Sequence, residues 1–303
     1  MAFLALTPAL AMSGRRVAAR ARRTGDMMGF ATTFRVADRS DTLLDIARRF
    51  GLGYVEIVAA NSQIDPWLPA VGTEVLLPTA HIVPKGRRQG LIINLGDMRI
   101  YYFPPQGEAL TFPIGVGQEG WSTPLGRTKV AGKRQDPTWI PPPSIRAENS
   151  DLPPSVPPGP DNPLGKFAID LAFERISVHG TNKPDGVGRR VSHGCIRLYP
   201  EHIEQLFALV AIGMDVEVVN QPVKLGWHNG ELYLEAHPTP RQADAIEQTG
   251  SHDTDIDTSV LFNAAAEAGM EDVDRLDIER IGIVLRERTG LPTRVTEPAL
   301  DTQ

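Results

Sequence analysis

The chain contains one cysteine, Cys195, within the sequence RRVSHGCIRL at residues 189–198. Two histidines, His179 and His193, are each followed directly by glycine, and His193 lies two positions before the cysteine. A thiol becomes a strong nucleophile when it is deprotonated, and a neighbouring imidazole promotes that step. Glycine lets backbone N–H groups approach a developing oxyanion closely. These residue types are typical of a cysteine nucleophile assisted by histidine.

Two other uses of Cys195 are compatible with the residues alone. A lone cysteine often packs as a small apolar side chain. A zinc ion could bind His179, His193 and Cys195, although no fourth ligand has a metal-like spacing from them. Packing, metal binding and catalysis therefore all remain open at this level.

Three stretches of sequence carry a family resemblance. The run HGTNKPDGVGRRVSHGCIRL at 179–198 resembles the catalytic motif of the YkuD-type L,D-transpeptidases, in which His-Gly is followed, after a spacer, by Ser/Thr-His-Gly-Cys. TPLG at 123–126 matches the TP-x-G element of that family. DPTWIPPPSIRAE at 136–148 is similar to the version found in the ErfK/YbiS group. This combination favours catalysis over both the packing and the metal alternatives.

The resemblance implies that Cys195 is the nucleophile and His179 the general base, with the Gly180 carbonyl orienting the imidazole. Nearness in sequence would favour His193 as the base, because residues two apart in extended backbone point to the same side. A base from a separate segment can approach the sulfur end-on while its other ring nitrogen is held by a hydrogen bond. We therefore predict that His179 is the base and that His193 shapes the site.

Further residues are expected to bind substrate around this pair. The resemblance implies that Ser192 shapes the site and that the backbone amides of Gly194 and Cys195 form an oxyanion hole. Arg197 is suited to pair with a substrate carboxylate, but it could equally be a structural ion-pair partner. Trp139 is the best candidate for a substrate-facing residue in the proline-rich segment.

The resemblance also implies a reaction and a substrate. Cys195 would attack the third residue of a peptidoglycan tetrapeptide stem, release D-Ala and form a thioester that an amine resolves, without a cofactor or metal. The amine could belong to another stem, giving a 3→3 cross-link, or to a lysine of an outer-membrane lipoprotein, which the ErfK/YbiS-like segment slightly favours. Water as acceptor would make an L,D-carboxypeptidase or hydrolase. A non-catalytic peptidoglycan-binding protein is disfavoured, because both nucleophile and base are present.

A small unit over residues 31–80 precedes the catalytic part. Phe34 and Val36 alternate as in a strand, a helix follows Ser40 or Asp41, and the pattern continues with a second helix and a closing strand. SDTLLDIARRFG, AAN and VGTEVLLP resemble the LysM module, which implies binding to glycan strands that contain N-acetylglucosamine. Because anchoring and catalysis would then lie on separate modules, deletion of the unit is expected to leave turnover of small soluble substrates nearly unchanged.

The overall fold class predicted is α+β. Many short strands with turns over residues 88–220 indicate a mostly antiparallel, sandwich-like or barrel-like catalytic domain, with one convincing helix at 200–213. The segment 136–165 is so rich in proline that it should be a surface loop without helix or interior strand, placed as a lid over a cleft. A hairpin at 221–238 and a polar, partly helical appendage at 239–303 complete the chain.

Composition and the amino terminus bear on location and partners. The formal net charge of -6 argues against nucleic-acid binding, and one cysteine excludes an internal disulfide. Residues 1–30 are interpreted as a leader with an export signal, although the apolar run lacks a preceding basic region. Its alternative is a disordered basic leader on a cytoplasmic protein. We expect a mature periplasmic protein without a transmembrane segment, because later apolar runs are shorter than about 18 residues.

Overall fold

The computed structural model describes residues 25–254 and 259–297. Its strands are β1 Met27–Met28, β2 Thr32–Arg35, β3 Glu74–Leu77, β4 His81–Ile82, β5 Gly90–Asn94, β6 Arg99–Phe103, β7 Leu110–Pro113, β8 Val116–Gly117, β9 Gly126–Gln135, β10 Phe167–Leu171, β11 Ser177–His179, β12 Arg190–Ser192, β13 Ile196–Arg197, β14 Asp215–Val219, β15 Val223–His228, β16 Glu231–Ala236 and β17 Thr293–Arg294. Its helices are α1 Leu43–Phe50, α2 Tyr54–Ala60, α3 Pro143–Glu148, α4 Pro200–Leu209, α5 Pro240–Thr249, α6 Ser259–Asp272 and α7 Ile278–Glu287.

The end of the predicted leader belongs to the folded body. Within residues 25–30, β1 pairs with β4, and the Met28 side chain is fully buried. The leader prediction is therefore restricted to residues 1–24, which lie outside the described residues. Among the residues that the structure describes, every helix is too short or too polar to span a bilayer.

An eight-stranded sheet forms the centre of the catalytic domain, in the order β13-β11-β10-β9-β14-β5-β6-β7. Its pairings are antiparallel except for β11 with β13 and β14 with β5. The prediction of an α+β protein with a largely antiparallel catalytic sheet is confirmed. The long strand β9 connects the two halves of this sheet, because its first residues pair with β14 and its later residues pair with β10.

Helices in the catalytic domain differ from the predicted ones at two places. The helix predicted over 200–213 ends at Leu209, and buries Ile203 and Leu206 against the sheet. The proline-rich segment contains α3, which begins with Pro143 at its first helical position and so contradicts the prediction that it has no helix. Proline fits there because its fixed φ suits the first turn and that position needs no N–H donor.

The N-terminal unit folds as β2, α1, α2 and β3, with β2 antiparallel to β3. Thr42, rather than the predicted Ser40 or Asp41, caps α1 in a reciprocal capping box with Asp45. The apolar side chains of this unit belong to the same hydrophobic core as those of the catalytic sheet. The N-terminal unit and the catalytic sheet therefore pack directly against each other.

The C-terminal part forms a hairpin of β15 and β16, to which β17 adds a third strand. Its turn places Asn229 at φ 51° and Gly230 at φ 77°, both positive, as a two-residue hairpin turn requires. Helices α6 and α7 pack against this sheet around a second hydrophobic core. Residues 255–258 and 298–303 of the predicted appendage lie outside the described residues.

A buried ion cluster joins the hairpin to the catalytic sheet. The Lys224 ammonium lies 2.6 Å from Asp97 and 2.8 Å from Glu235, and all three side chains are buried. One group of side chains among the described residues has the composition and spacing of metal ligands, namely Asp97, Glu235 and His237. The Lys224 ammonium lies between the two carboxylates of this group. Although burial works against the charged form, these carboxylates hold the pKa of Lys224 above its ordinary value.

Lys224→Met should lower the free energy of unfolding by about 3–5 kcal/mol, because two buried carboxylates lose their counterion. Urea denaturation at neutral pH measures this change. Lys129→Met is the matched control, since the Lys129 side chain is 64% exposed, and its effect should stay within about 0.5 kcal/mol. Equal effects of the two substitutions would contradict the role of the cluster.

Candidate active site

Two neighbouring parallel strands bring the predicted nucleophile and base together. β11 and β13 pair with Val178 opposite Ile196 and His179 opposite Arg197. Cys195 directly precedes β13, two positions before Arg197. Paired residues of adjacent strands share a face, and residues two apart along extended backbone also share one. Cys195, His179 and Arg197 are therefore presented on one face at the edge of the sheet.

The His179 imidazole is buried and held by one backbone hydrogen bond. Its Nδ1 lies 2.6 Å from the Gly180 carbonyl oxygen, so a proton on Nδ1 leaves the lone pair on Nε2. Burial lowers the pKa of His179 to about 4. The hydrogen bond to the Gly180 carbonyl raises this pKa, because it favours the charged ring, but its effect is smaller than that of burial. The ring is therefore neutral at pH 7 and able to accept a proton.

The Cys195 thiol is free and partly buried. Its Sγ donates to the carbonyl of Arg175 at 3.6 Å. Arg175 adopts a left-handed backbone conformation, with φ 60°, which aims this carbonyl at the thiol. Because no hydrogen bond between Sγ and the His179 ring is found among the described residues, the thiol must turn away from Arg175 before the imidazole can take its proton.

The turn that carries the thiol is fixed by hydrogen bonds to its carbonyls. The Ser192 hydroxyl donates to the Cys195 carbonyl at 2.5 Å, and the Thr123 hydroxyl donates to the Gly194 carbonyl at 2.9 Å. Gly194 has φ 93°, a conformation that other residues rarely adopt. Within the part of the chain that the structure describes, the amides of Gly194 and Cys195 donate to no protein acceptor. They are free to bind an oxyanion.

His193 points towards the proline-rich loop. Its Nε2 lies 2.9 Å from a Glu148 carboxylate oxygen, at the end of α3. The indole ring of Trp121 lies edge-on to the imidazole, with 4.9 Å between the ring centroids. His193 therefore connects the catalytic turn to the loop, and its ring nitrogen is already engaged by a carboxylate.

Arg197 and Trp139 have different surroundings. The structure shows no ion pair or side-chain hydrogen bond between the Arg197 guanidinium and another described residue, so the structural ion-pair alternative has no partner there. Burial lowers its pKa, and the nearby Cys195 opposes this effect. Trp139 exchanges two backbone hydrogen bonds with Val156 inside the proline-rich loop, at 2.9 and 2.8 Å. No contact between its indole and the catalytic pair is found among the described residues.

Comparison with known proteins identifies the family. Residues 88–218 match YkuD, the L,D-transpeptidase catalytic domain. The probable L,D-transpeptidase ErfK/SrfK of Escherichia coli is 35% identical over 279 residues, which cover 89% of this chain and 87% of that protein. The chain belongs to the L,D-transpeptidase family. The family resemblance found in the catalytic motif is thereby confirmed.

Two further L,D-transpeptidases extend the comparison. The probable L,D-transpeptidase YcfS of Escherichia coli is 34% identical to this L,D-transpeptidase, over 88% of this chain and 84% of that protein. The solved catalytic domain of the Enterococcus faecium L,D-transpeptidase is 23% identical and has a TM-score of 0.35, covering 45% of this chain and 99% of that chain.

Sequence reasoning missed four residues that surround the catalytic motif of this L,D-transpeptidase. They are Thr123, Trp121, Glu148 and Arg175. Thr123 and Glu148 lie inside two of the three stretches that resemble the family, so a closer reading of those motifs could have found them. The Arg175 contact uses a backbone carbonyl, which any residue type supplies, and the sequence carries no signal for it.

Proposed function

We propose that this L,D-transpeptidase acts on peptidoglycan tetrapeptide stems through a Cys195 thioester. Sγ forms a bond to the carbonyl carbon of the third stem residue as its proton passes to His179 Nε2. The amide bond to the terminal D-Ala then breaks, and the imidazolium protonates the leaving amine. An acceptor amine next attacks the thioester, gives its proton to His179 and releases the thiol.

The observation that carries this proposal is the position of the His179 ring beside the catalytic turn. Nδ1 is engaged by the Gly180 carbonyl at 2.6 Å, which directs the basic nitrogen, Nε2, away from the backbone. Burial keeps the ring neutral, with a pKa of about 4. A neutral base whose tautomer is fixed can accept the thiol proton at neutral pH without prior deprotonation.

The oxyanion hole is assigned to the turn that carries the nucleophile. The amides of Gly194 and Cys195 have no protein acceptor among the described residues. The Thr123 hydroxyl donates to the Gly194 carbonyl, which fixes the peptide plane that contains the Cys195 amide. Donors that need no reorganisation stabilise developing negative charge most effectively.

Arg197 is assigned to a carboxylate of the donor stem. Its guanidinium is partly buried, shares a face with Cys195 and lacks an acidic partner among the described residues. A partly buried guanidinium gains from a ligand that supplies the missing negative charge, and a carboxylate matches its planar fork. The proline-rich loop, with Trp139, would cover the bound stem.

Arg197→Gln should raise KM for a tetrapeptide donor about 10- to 100-fold, since a hydrogen bond to a charged group contributes about 1.5–3 kcal/mol. Steady-state D-Ala release measures KM. A donor whose stem carboxylates are amidated is the matched control, because it cannot make the contact. If the substitution raises KM equally for both donors, Arg197 does not bind a stem carboxylate.

The acceptor, the glycan and the location complete the proposal. The acceptor is proposed to be an amine, either of another stem or of a lipoprotein lysine. The N-terminal βααβ unit is proposed to be a LysM module that binds glycan strands, and the protein is proposed to work in the periplasm. Water as acceptor would give tripeptide stems instead of cross-links.

Product analysis tests the reaction. Purified protein is incubated with tetrapeptide muropeptides, with and without a lysine-terminated acceptor peptide, and the products are identified by mass spectrometry. Amide-linked dimers or peptide adducts with loss of D-Ala support the proposal, whereas tripeptides alone would assign the hydrolytic alternative. Release of Cys195→Ala protein from sacculi by soluble oligomers of N-acetylglucosamine tests glycan binding without turnover.

A further inference from the structure

We infer that the N-terminal βααβ unit positions the catalytic segment, residues 189–198, by holding the backbone on both sides of it. The inference rests on the proposed role of Cys195. The βααβ unit is proposed above only as a glycan-binding module. Its contacts with the catalytic domain assign it a second task, which concerns the rate of the chemical step.

The upstream contact is a helix end capped by the catalytic domain. The first amides of a helix have no partner within it, and Gly53 at the cap of α2 has no side chain to supply one. The Tyr54 amide donates to the Val187 carbonyl at 3.3 Å, and the Val55 amide donates to the Gly188 carbonyl at 3.1 Å. The residues just before the catalytic segment therefore complete α2.

Two glycines allow this contact. A Cβ atom on Gly188 would lie 2.2 Å from the Tyr54 backbone nitrogen, and one on Gly53 would lie 2.6 Å from the Gly188 Cα. Gly188 also has φ 76°, in the left-handed region. The two backbones touch directly, so a side chain at Gly188 would force α2 and the catalytic segment apart.

Arg189, the first residue of the catalytic segment, strengthens the same side. Its guanidinium lies over the Tyr54 ring, 3.6 Å from the centroid. It also pairs with Glu247 of α5 at 3.3 Å, and both side chains are mostly buried. A cation stacked on an aromatic ring and neutralised by a carboxylate resists displacement.

The downstream contact joins α1 and its C-terminal turn to residues that follow β13. The Tyr199 hydroxyl donates to the Leu52 carbonyl at 3.1 Å. Arg48 in α1 forms two parallel hydrogen bonds with the Glu201 carboxylate, both at 2.9 Å. The catalytic segment is therefore held at both ends by the N-terminal unit, while its strand β13 pairs with β11, which carries His179.

This arrangement predicts an effect on kcat rather than on substrate binding. A displacement of about 1 Å between nucleophile and base can cost on the order of 100-fold in rate. Arg197, the proposed substrate contact, is held separately, because it lies on β13 and pairs with His179 on β11. Loosening the contact should therefore slow acylation while KM changes little.

Gly188→Ala is the test, with Gly213→Ala as the matched control. Gly213 also has a left-handed φ, 88°, but a Cβ there meets nothing within 4 Å, so it isolates backbone strain from the clash. We expect Gly188→Ala to lower kcat for D-Ala release by about 10- to 100-fold at nearly constant KM. Iodoacetamide alkylation of Cys195 should slow in parallel, and Gly213→Ala should match the wild type in both.

Wild-type kcat and alkylation rates in folded Gly188→Ala protein would overturn the inference. If thermal melting shows that this variant does not fold, Tyr54→Ala and Tyr54→Phe are compared instead. Tyr54→Ala should lower kcat, whereas Tyr54→Phe should keep the wild-type kcat because it retains the ring under Arg189. Equal kcat in these two variants would also overturn the inference. Should the wild type release no D-Ala, the proposed function fails, and the alkylation rates alone decide the positioning role.

Discussion

Cys195→Ser is expected to reduce D-Ala release from a tetrapeptide donor by at least about 10³-fold, the scale of loss seen when a nucleophile is removed. A serine hydroxyl is far less acidic than a thiol. The His179 ring is oriented by the Gly180 carbonyl at 2.6 Å. A carbonyl carries only a partial negative charge, so it stabilises an imidazolium less than a carboxylate would. The base is therefore too weak to activate an alcohol.

The fold should be unaffected by this substitution, because serine is nearly isosteric and the thiol makes one weak contact, with Arg175 at 3.6 Å. Thermal melting of both proteins provides the control. Release of D-Ala by the folded serine variant at a rate near that of the wild type would contradict the assignment of the nucleophile.

His179→Ala is expected to lower kcat by about 10²- to 10⁴-fold, the usual contribution of a general acid–base. His193→Ala should cost less, because its ring is engaged by Glu148 at 2.9 Å and acts on the geometry of the turn. His252, which is partly exposed and lies outside the candidate site, supplies the control. A larger loss in His193→Ala than in His179→Ala would exchange the two roles.

The pH dependence of the wild type follows from the same ring. Because burial lowers the pKa of His179 to about 4 from 6.5, the base should stay neutral, and kcat/KM should persist, down to about pH 5. Between pH 6.5 and 4 the unfolded chain binds this proton and the folded chain does not, so the contribution of this group to stability is lost as pH falls. An acid limb of kcat/KM near 6.5 would show that the base is an unperturbed histidine.

The family could be predicted from the sequence more fully than the architecture. Cys195 and His179 were singled out by the resemblance of their sequence motif to the family, and the structure brings them close to the paired strands β13 and β11. The parallel pairing that does so was not predictable, because strand order depends on contacts between distant residues. A strand as short as β13, with two residues, carries no pattern that identifies its neighbour.

The union of the N-terminal unit with the catalytic domain was missed for a related reason. Its LysM-like pattern describes a unit that closes on itself, and the pattern is silent about the outer face of α2. Gly53 and Gly188 are the residues that permit the contact, yet glycine in a loop has many explanations. The cap of α2 uses the carbonyls of Val187 and Gly188, which every residue type offers.

Identification of the acyl-enzyme tests the central claim most directly. The protein is mixed with a tetrapeptide donor in the absence of an acceptor amine, quenched in acid, digested and mapped by mass spectrometry. We expect the tripeptidyl thioester on the peptide that contains Cys195, in the wild type and more slowly in His193→Ala, and no adduct in Cys195→Ser or His179→Ala on the same timescale. An adduct on any other residue, or wild-type acylation rates in His179→Ala, would contradict the Cys195–His179 mechanism.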